Sequence, residues 1–219
     1  MIELINAVKN FDGGVTAVNG VNLTFEPGKF YAIMGPSGSG KSTILNLIGG
    51  IEDVSSGSVL INGKDIGKMK EKEKAVMRMK YIGFIFQGFY LNPYLNAVDN
   101  VIVPMRINPD IDRKDMKNRA MMLIESVGLS ERKKHYPNQM SGGEMQRVAI
   151  ARAMANSPEV ILADEPTGNL DEENEKMIFD LLKKLAQEGK TIIVVSHNET
   201  VTEYADKVIR IKKGKQADE

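Results

Sequence analysis

Gly35, Pro36, Ser37, Gly38, Ser39, Gly40, Lys41 and Ser42 spell the pattern G-x-x-x-x-G-K-[ST] and are followed by Thr43. They stand between an apolar run over 29–34 and a helical pattern over 41–48. Strand, glycine loop and helix in that order form the context in which the pattern carries a mechanism. Glycines let successive backbone N–H groups turn toward one centre, and the helix adds the positive end of its dipole. Lys41 is then placed to reach the β- and γ-phosphates of a bound triphosphate, and Ser42 to ligate Mg2+. A glycine-rich turn that merely resembles the motif would carry none of this, but it would not be expected between a strand and a helix.

Composition bounds the rest. A length of 219 residues suits one domain, or a domain with a lobe inserted into it. Hydrophobic residues at 42% and charged residues at 26% describe an ordinary globular chain. The absence of cysteine excludes disulfides, thiolate zinc sites, iron–sulfur clusters and cysteine nucleophiles, and two histidines leave little for an imidazole metal cage. Lys+Arg 29 against Asp+Glu 29 gives a formal net charge of zero, which argues against a protein that coats nucleic acid. Apolar runs such as 191–195 fall far short of the ~20 residues that span a bilayer, and the polar start over 1–6 reads as no signal peptide.

Strand-like runs occur at 2–8 and at 21–25, where Val21, Leu23 and Phe25 alternate with Asn22 and Thr24. Further strands are expected at 57–63 and 81–86. From 112 to 127 the pattern changes, with Met116, Ala120, Leu123, Ile124 and Val127 near helical spacing, and a helical lobe is expected there. A helix follows Ser141, Gly142 and Gly143 and continues to about Asn156, its stripe made by Ala149, Ile150, Ala153 and Met154. Apolar runs at 159–163 and 191–195 flank an amphipathic helix over 173–188, so buried parallel strands alternating with helices are expected. The charge run over 68–80 reads as a solvated helix face with Met69, Val76 and Met79 turned inward. The methionines of the lobe, among them Met105, Met116, Met121, Met122, Met140, Met145 and Met154, read mainly as core, and residues 214–219 as a frayed end.

The run over 160–163 ends in Asp164 and Glu165. Ligands of open α/β sheets sit at the carboxyl ends of strands, so Asp164 can hold a metal-bound water while Glu165 faces the terminal phosphate. Alone, an apolar run ending in two acids is a weak signal. Beside the glycine loop it reads as the second half of a nucleotide site.

Met140, Ser141, Gly142, Gly143, Glu144, Met145, Gln146 and Arg147 resemble the signature motif of ATP-binding cassette (ABC) ATPases. The order along the chain is phosphate loop, Gln87 after a strand, signature, Asp164 and Glu165, then Gly168 to Asp171, then His197 after a strand. That full set is similar to an ABC nucleotide-binding domain over essentially the whole chain. Stretches such as 33–36, 46–50 and 148–152 resemble the ATPases of lipoprotein-release, macrolide-export and antimicrobial-peptide systems.

The resemblance implies an α/β fold: a P-loop NTPase core with a mostly parallel sheet, an N-terminal antiparallel β subdomain and an inserted α-helical subdomain. It divides the chain into a core at 1–87 and 157–219 and a helical part at 88–156 that carries the signature. It implies ATP and Mg2+ as ligands, with Phe11 stacking on the adenine, although a plain core phenylalanine is the alternative at that position. Gln87 would touch Mg2+ and the attacking water, with Ser42 and, through water, Asp164 completing the metal set. His197 would hydrogen-bond the γ-phosphate, and Glu165, His197 and Gln87 would form the catalytic set. His135 matches no motif and reads as an exposed loop residue. In the signature, Met140 replaces the usual leucine and Glu144 the glutamine of the common form. A carboxylate repels polyphosphate unless it points away, so Glu144 is left out of the nucleotide-binding set.

The resemblance further implies that one chain holds half a site. Ser141, Gly142 and Gly143 of a second ATP-binding subunit, a homodimer in the simplest case, would close over the γ-phosphate, and Asp171 would cross the interface. A transmembrane permease would be the other partner, docked on a groove of the helical lobe. The chain would then work at the cytoplasmic face of a membrane without nucleic acid. An ABC-type ATPase that clamps DNA or ribosomes shares these motifs, but with coiled-coil arms, paired domains or basic extensions that this chain lacks. A P-loop kinase would leave the signature unexplained.

Overall fold

The computed structural model describes residues 1–217. The chain opens with strands β1 (Ile2–Phe11), β2 (Val15–Phe25) and β3 (Phe30–Met34), then helix α1 (Lys41–Ile48), then β4 (Ser56–Ile61) and β5 (Lys64–Asp65). Helix α2 (Glu71–Tyr81) leads into β6 (Ile82–Phe86), and three helices follow without an intervening strand: α3 (Ala97–Ile102), α4 (Arg113–Ser126) and α5 (Gly142–Ala153). Strand β7 (Val160–Asp164), helix α6 (Glu172–Gln187) and strands β8 (Thr191–Ser196), β9 (Lys207–Lys212) and β10 (Lys215–Gln216) complete the order.

Two sheets result. The first is antiparallel, in the order β2-β1-β4-β5. The second runs β10-β9-β3-β8-β7-β6, with every neighbour parallel except the terminal β10. This is the α/β architecture expected, with its antiparallel N-terminal sheet and mostly parallel main sheet.

The continuous apolar runs become central strands because both faces of the main sheet are covered. Successive side chains of a strand point to opposite faces. Phe30, Ala32 and Met34 of β3, Ile161 and Ala163 of β7, and Ile192 and Val194 of β8 therefore enter one core with α3, α4, α5 and α6. Their neighbours Tyr31, Ile33, Val160, Leu162, Ile193 and Val195 enter the other, with α1 and the antiparallel sheet. Each fully buried Val, Leu, Ile, Met or Phe side chain among them contributes about 1.5–3 kcal/mol. The same pairing brings the carboxyl ends of β3, β6, β7 and β8 to one edge, where the glycine loop, Gln87, Glu165 and His197 all leave the sheet.

Four expectations are corrected. Val76 on α2 is exposed, and Met77 with the stem of Lys74 takes the buried face instead; Lys74 reaches Asp53 and Glu71 from there. Met122 points out of α4 and is 69% exposed, because the core stripe of that helix runs through Met116, Ala120 and Ile124. His135 is half-buried rather than exposed, its ring against Arg132. Gly214 to Ala217 are not frayed. Lys213 and Gly214 both have positive φ, as a two-residue hairpin turn requires, and β10 pairs back on β9. Gly214 also donates to the carbonyl of Ser39 at 2.9 Å, which ties this hairpin to the glycine loop. The last residues of the segment expected to fray, 218–219, lie outside the described residues.

Candidate functional site

The start of α1 is built to meet an anion. Gly40 takes φ 101°, and a Cβ there would lie 2.1 Å from the carbonyl oxygen of Ala17, so the loop closes against β2 only with glycine. No side chain caps the helix and no acid stands in its first turn. The amides of Lys41, Ser42 and Thr43 are thus left without intrahelical acceptors. Lys41 is buried, and its ammonium donates to the carbonyls of Gly35 at 2.8 Å and Pro36 at 3.1 Å. The hydroxyl of Ser39 is buried within the same loop with no partner in the protein.

Around this start lies a cleft of about 690 Å³. Its floor is the loop from Ser37 to Thr43, and its walls are Phe11, Val15 and Ala17 on one side and Gln87, Glu165 and His197 on the other. Phe11 is 39% exposed and so is not a core residue, and the ammonium of Lys9 lies 5.0 Å from its ring centre. Val15 and Ala17 escaped the sequence reading. They reach the cleft because the hairpin of β1 and β2 turns them to the side of Phe11, which sequence spacing does not reveal.

Asp164 and Glu165 end β7 in different surroundings. The Ser42 hydroxyl donates to Asp164 Oδ1 at 2.9 Å. Burial pushes the Asp164 carboxyl above its ordinary range, assisted by the charge of Glu165 and opposed by the Ser42 hydrogen bond and Lys41. Glu165 stands at φ 46°, a left-handed conformation that a non-glycine residue holds at a cost of order 1 kcal/mol. Its amide donates to the Val195 carbonyl at 2.9 Å, and its Oε1 lies 2.9 Å from Nδ1 of His197. A carboxylate only accepts, so Nδ1 carries the proton and Nε2 faces away from Glu165. Oε2 has only long contacts, 3.4 Å each, with the Ser196 hydroxyl and the His197 amide.

The Ser42 hydroxyl, the Asp164 carboxylate and the Gln87 amide oxygen are hard donors that fit Mg2+. Among the described residues no three His, Cys, Asp or Glu side chains gather into a metal cluster.

Ser141, Gly142, Gly143 and Asp171 lie outside this cleft and gather with one another. Ser141 caps α5, and its hydroxyl accepts from the Glu144 amide at 3.2 Å. Asp171 caps α6 and accepts from the amide and side chain of Asn174, which hold its carboxyl below the ordinary range. The two caps touch: a Cβ on Gly143 would lie 2.0 Å from Asn174 Oδ1. Between cleft and caps runs the segment from Gly168, whose neighbour Asn169 donates its side-chain amide to the Gln87 carbonyl at 3.2 Å. Glu144 is turned inward, with Oε2 accepting from the Ser141 amide at 2.8 Å and Oε1 from Arg132 at 2.9 Å. The Ser141 amide, then Arg132, hold its carboxyl below the ordinary range against the effect of burial. Arg132 and Arg152 were missed by sequence reasoning. Arg152 of α5 donates to the carbonyls of Phe89 and Tyr90, two left-handed residues just after Gln87, and no local pattern joins residues that far apart.

Among the described residues no helix is long and apolar enough to cross a membrane. A family model described as ABC transporter matches residues 18–168. The uncharacterized ABC transporter ATP-binding protein MJ1508 of Methanocaldococcus jannaschii is 45% identical over 217 residues, covering 98% of this chain and 96% of that protein. The macrolide export ATP-binding/permease protein MacB of Chlorobaculum tepidum is 44% identical over 222 residues, covering 100% of this chain but only 34% of that longer protein. YknY of Bacillus subtilis, another uncharacterized ABC transporter ATP-binding protein, is 44% identical over 98% of this chain and 94% of its own. Among solved structures, the dimeric bacterial ABC transporter cassette MJ0796 superposes with TM-score 0.91 at 40% identity, covering 100% of this chain and 97% of that one. The same cassette in a dimeric post-hydrolysis state bound to ADP and Pi gives TM-score 0.90 at 40% identity.

Proposed function

The chain belongs to the ABC transporter family of ATP-binding, ATP-hydrolysing cassettes, and from that premise we propose that it forms half of a two-fold pair that closes on ATP and reopens after hydrolysis. The observation that carries the reading is the convergence of Lys41, Gln87 and the Glu165–His197 pair, joined at 2.9 Å, on one cleft over an uncapped helix start.

In-line transfer to water asks the protein to hold the nucleotide, balance phosphate charge and orient the nucleophile. Phe11 offers an aromatic face to the base. The loop from Gly35 to Gly40 and the amides of Lys41, Ser42 and Thr43 cradle the phosphates, and Lys41 exchanges loop carbonyls for phosphate oxygens. Ser42 and Gln87 would hold Mg2+, and Asp164 would do so through a water. Bound there, the ion would supply charge neutralisation on the phosphates. Glu165, with the weakly engaged Oε2, orients the attacking water and takes its proton. His197 hydrogen-bonds the γ-phosphate through the ring edge turned away from Glu165.

Ser141, Gly142 and Gly143 of a second copy cover the γ-phosphate, and Asp171 meets the partner across the pair. Loss of that phosphoryl group removes the contacts that favour the closed state. The core at 1–87 and 157–219 carries the hydrolytic groups, and the helical part at 88–156 carries the signature and a groove for a permease helix at the cytoplasmic face of the membrane. MacB joins an ATP-binding portion and a permease in its own name, with macrolide export as its work; that supports export of a hydrophobic compound as the work driven, within the wider class of lipoprotein, peptide or hydrophobic-compound export or release.

A Glu165→Gln chain should accumulate as a dimer with ATP in sedimentation or light scattering. A chain that stays monomeric while the parent hydrolyses ATP overturns the closure model. Purification from native membranes should recover a multispanning permease with a large extracytoplasmic domain, whereas recovery with DNA or ribosomes overturns the transport reading.

A further inference from the structure

At position 144 the signature helix carries a carboxylate, which an anion-facing turn tolerates only when it is turned away. The cap itself does not require the charge. In a reciprocal box at a helix start, glutamine accepts from the first residue's amide as well as glutamate does. Glu144 fills that role, taking the Ser141 amide on Oε2 while Ser141 takes the Glu144 amide. The charge has a consequence for function, because a carboxylate at the first turn offsets the positive helix end that would attract a phosphate. In this chain the offset is itself offset. Arg132, in the 3-10 turn Ser130–Arg132 beyond α4, donates from Nε to Glu144 Oε1 at 2.9 Å. Its Nη1 lies 3.2 Å from Nε2 of His135, which accepts when that nitrogen is unprotonated. Glu144 is largely covered while Arg132 is about half exposed, so the guanidinium is the part of the pair that faces outward.

We propose that Arg132 is a positioning residue for the composite ATP site: it holds the Glu144 carboxylate in the cap and returns the charge at the signature turn to neutral, so that the turn can approach the partner's γ-phosphate. The inference rests on the reading that Ser141 of one copy faces the nucleotide of the other. It explains how this chain carries glutamate in the signature, and it assigns a function to a residue that belongs to no motif.

The test is a cycle of four full-length chains in a Glu165→Gln host: the host alone, Arg132→Ala, Glu144→Gln, and both together. Dimer formation with ATP is measured by sedimentation, and nucleotide affinity of the dilute monomer with a fluorescent ATP analogue. Arg132→Ala should weaken ATP-dependent dimerisation about tenfold and leave monomer affinity unaltered. In the Glu144→Gln background the same substitution should weaken it by less than about twofold, because no uncompensated charge remains. Arg132→Lys should restore most of the loss.

An equal loss in both backgrounds overturns the proposal, since a purely architectural arginine would be missed whatever stands at 144. Unfolding of both Arg132→Ala chains in a thermal melt overturns it likewise. If the host dimerises with ATP and Arg132→Ala has no effect, this inference fails alone. If the host does not dimerise at all, the composite-site reading fails and takes the inference with it.

Discussion

Helices α1 and α5 both begin at turns rich in glycine and serine, yet their first turns are finished in opposite ways. At α1 the preceding Gly40 offers no cap, no acid stands in the first turn, and three amides are left open beside a buried lysine. At α5 Ser141 and Glu144 cap each other, and Arg132 balances the acid. The first arrangement is unsatisfied within its own chain and is completed by a bound anion. The second has its Glu144 amide taken by Ser141 and its acid balanced by Arg132, and has only a weak, compensated field left to offer. On the proposed reading nucleotide binding belongs to α1, and α5 contributes when a second copy supplies a phosphate already held. An energy-driven machine needs that asymmetry: if both starts bound phosphate independently, each chain would take up nucleotide at the signature without closing.

The sharpest way to break this division is Lys41→Ala. Removing the buried ammonium at the open helix start should lower ATP hydrolysis by a factor on the order of 10³ and weaken nucleotide binding in the dilute monomer. Turnover at the parent's level, measured by phosphate release, would move the site away from α1. The effect differs in kind from that of Arg132, whose loss should be felt only in the pair.

What could be read from the sequence divides along the same line. The α1 start was legible because everything it needs is contiguous: an apolar run, glycines at the turn, then Lys41 and Ser42. The main strands were legible because 160–163 and 191–195 are apolar throughout, as strands covered on both faces must be. Pairings across the chain were not. Glu165 meets His197 because β7 and β8 are neighbours, and nothing near either residue encodes that. Arg132 finds Glu144 through the packing of α4 against α5 and the turn beyond, so the glutamate in the signature looked like an unexplained departure. On α2 the lysine stems blurred the period: Lys74 carries its aliphatic part inward, which left Val76 as the apparent core residue and Met77 as the real one. The hairpin at Gly214 reads as a loose end in the sequence because its partners, Ser39 and Asn19, lie far back along the chain.

The smallest effect sharpens the comparison through two carboxylates. Asp164 beside α1 is pushed above its ordinary range, chiefly by burial, whereas Glu144 in α5 is held below it, chiefly by the Ser141 amide. The signs follow from linkage. A group with a raised folded-state pKa binds its proton more tightly in the fold than in the unfolded chain, so stability falls as pH rises from the unfolded value, about 3.9 for Asp, through the folded one. Above that window the ionised Asp164 is a standing cost. Glu144 does the reverse: its contribution is fully present above the unfolded value, about 4.3 for Glu, and is lost as pH falls through the depressed folded value. In thermal melts at pH 7 without nucleotide, Asp164→Asn should raise the midpoint and Glu144→Ala should lower it, and both differences should shrink in acid. A fall in the midpoint with Asp164→Asn would mean that the Ser42 bond outweighs burial and that Asp164 is held for architecture. A rise confirms that the fold keeps an ionised carboxylate beside the open helix start at its own expense, which is expected of a group whose work begins when the metal and the triphosphate arrive.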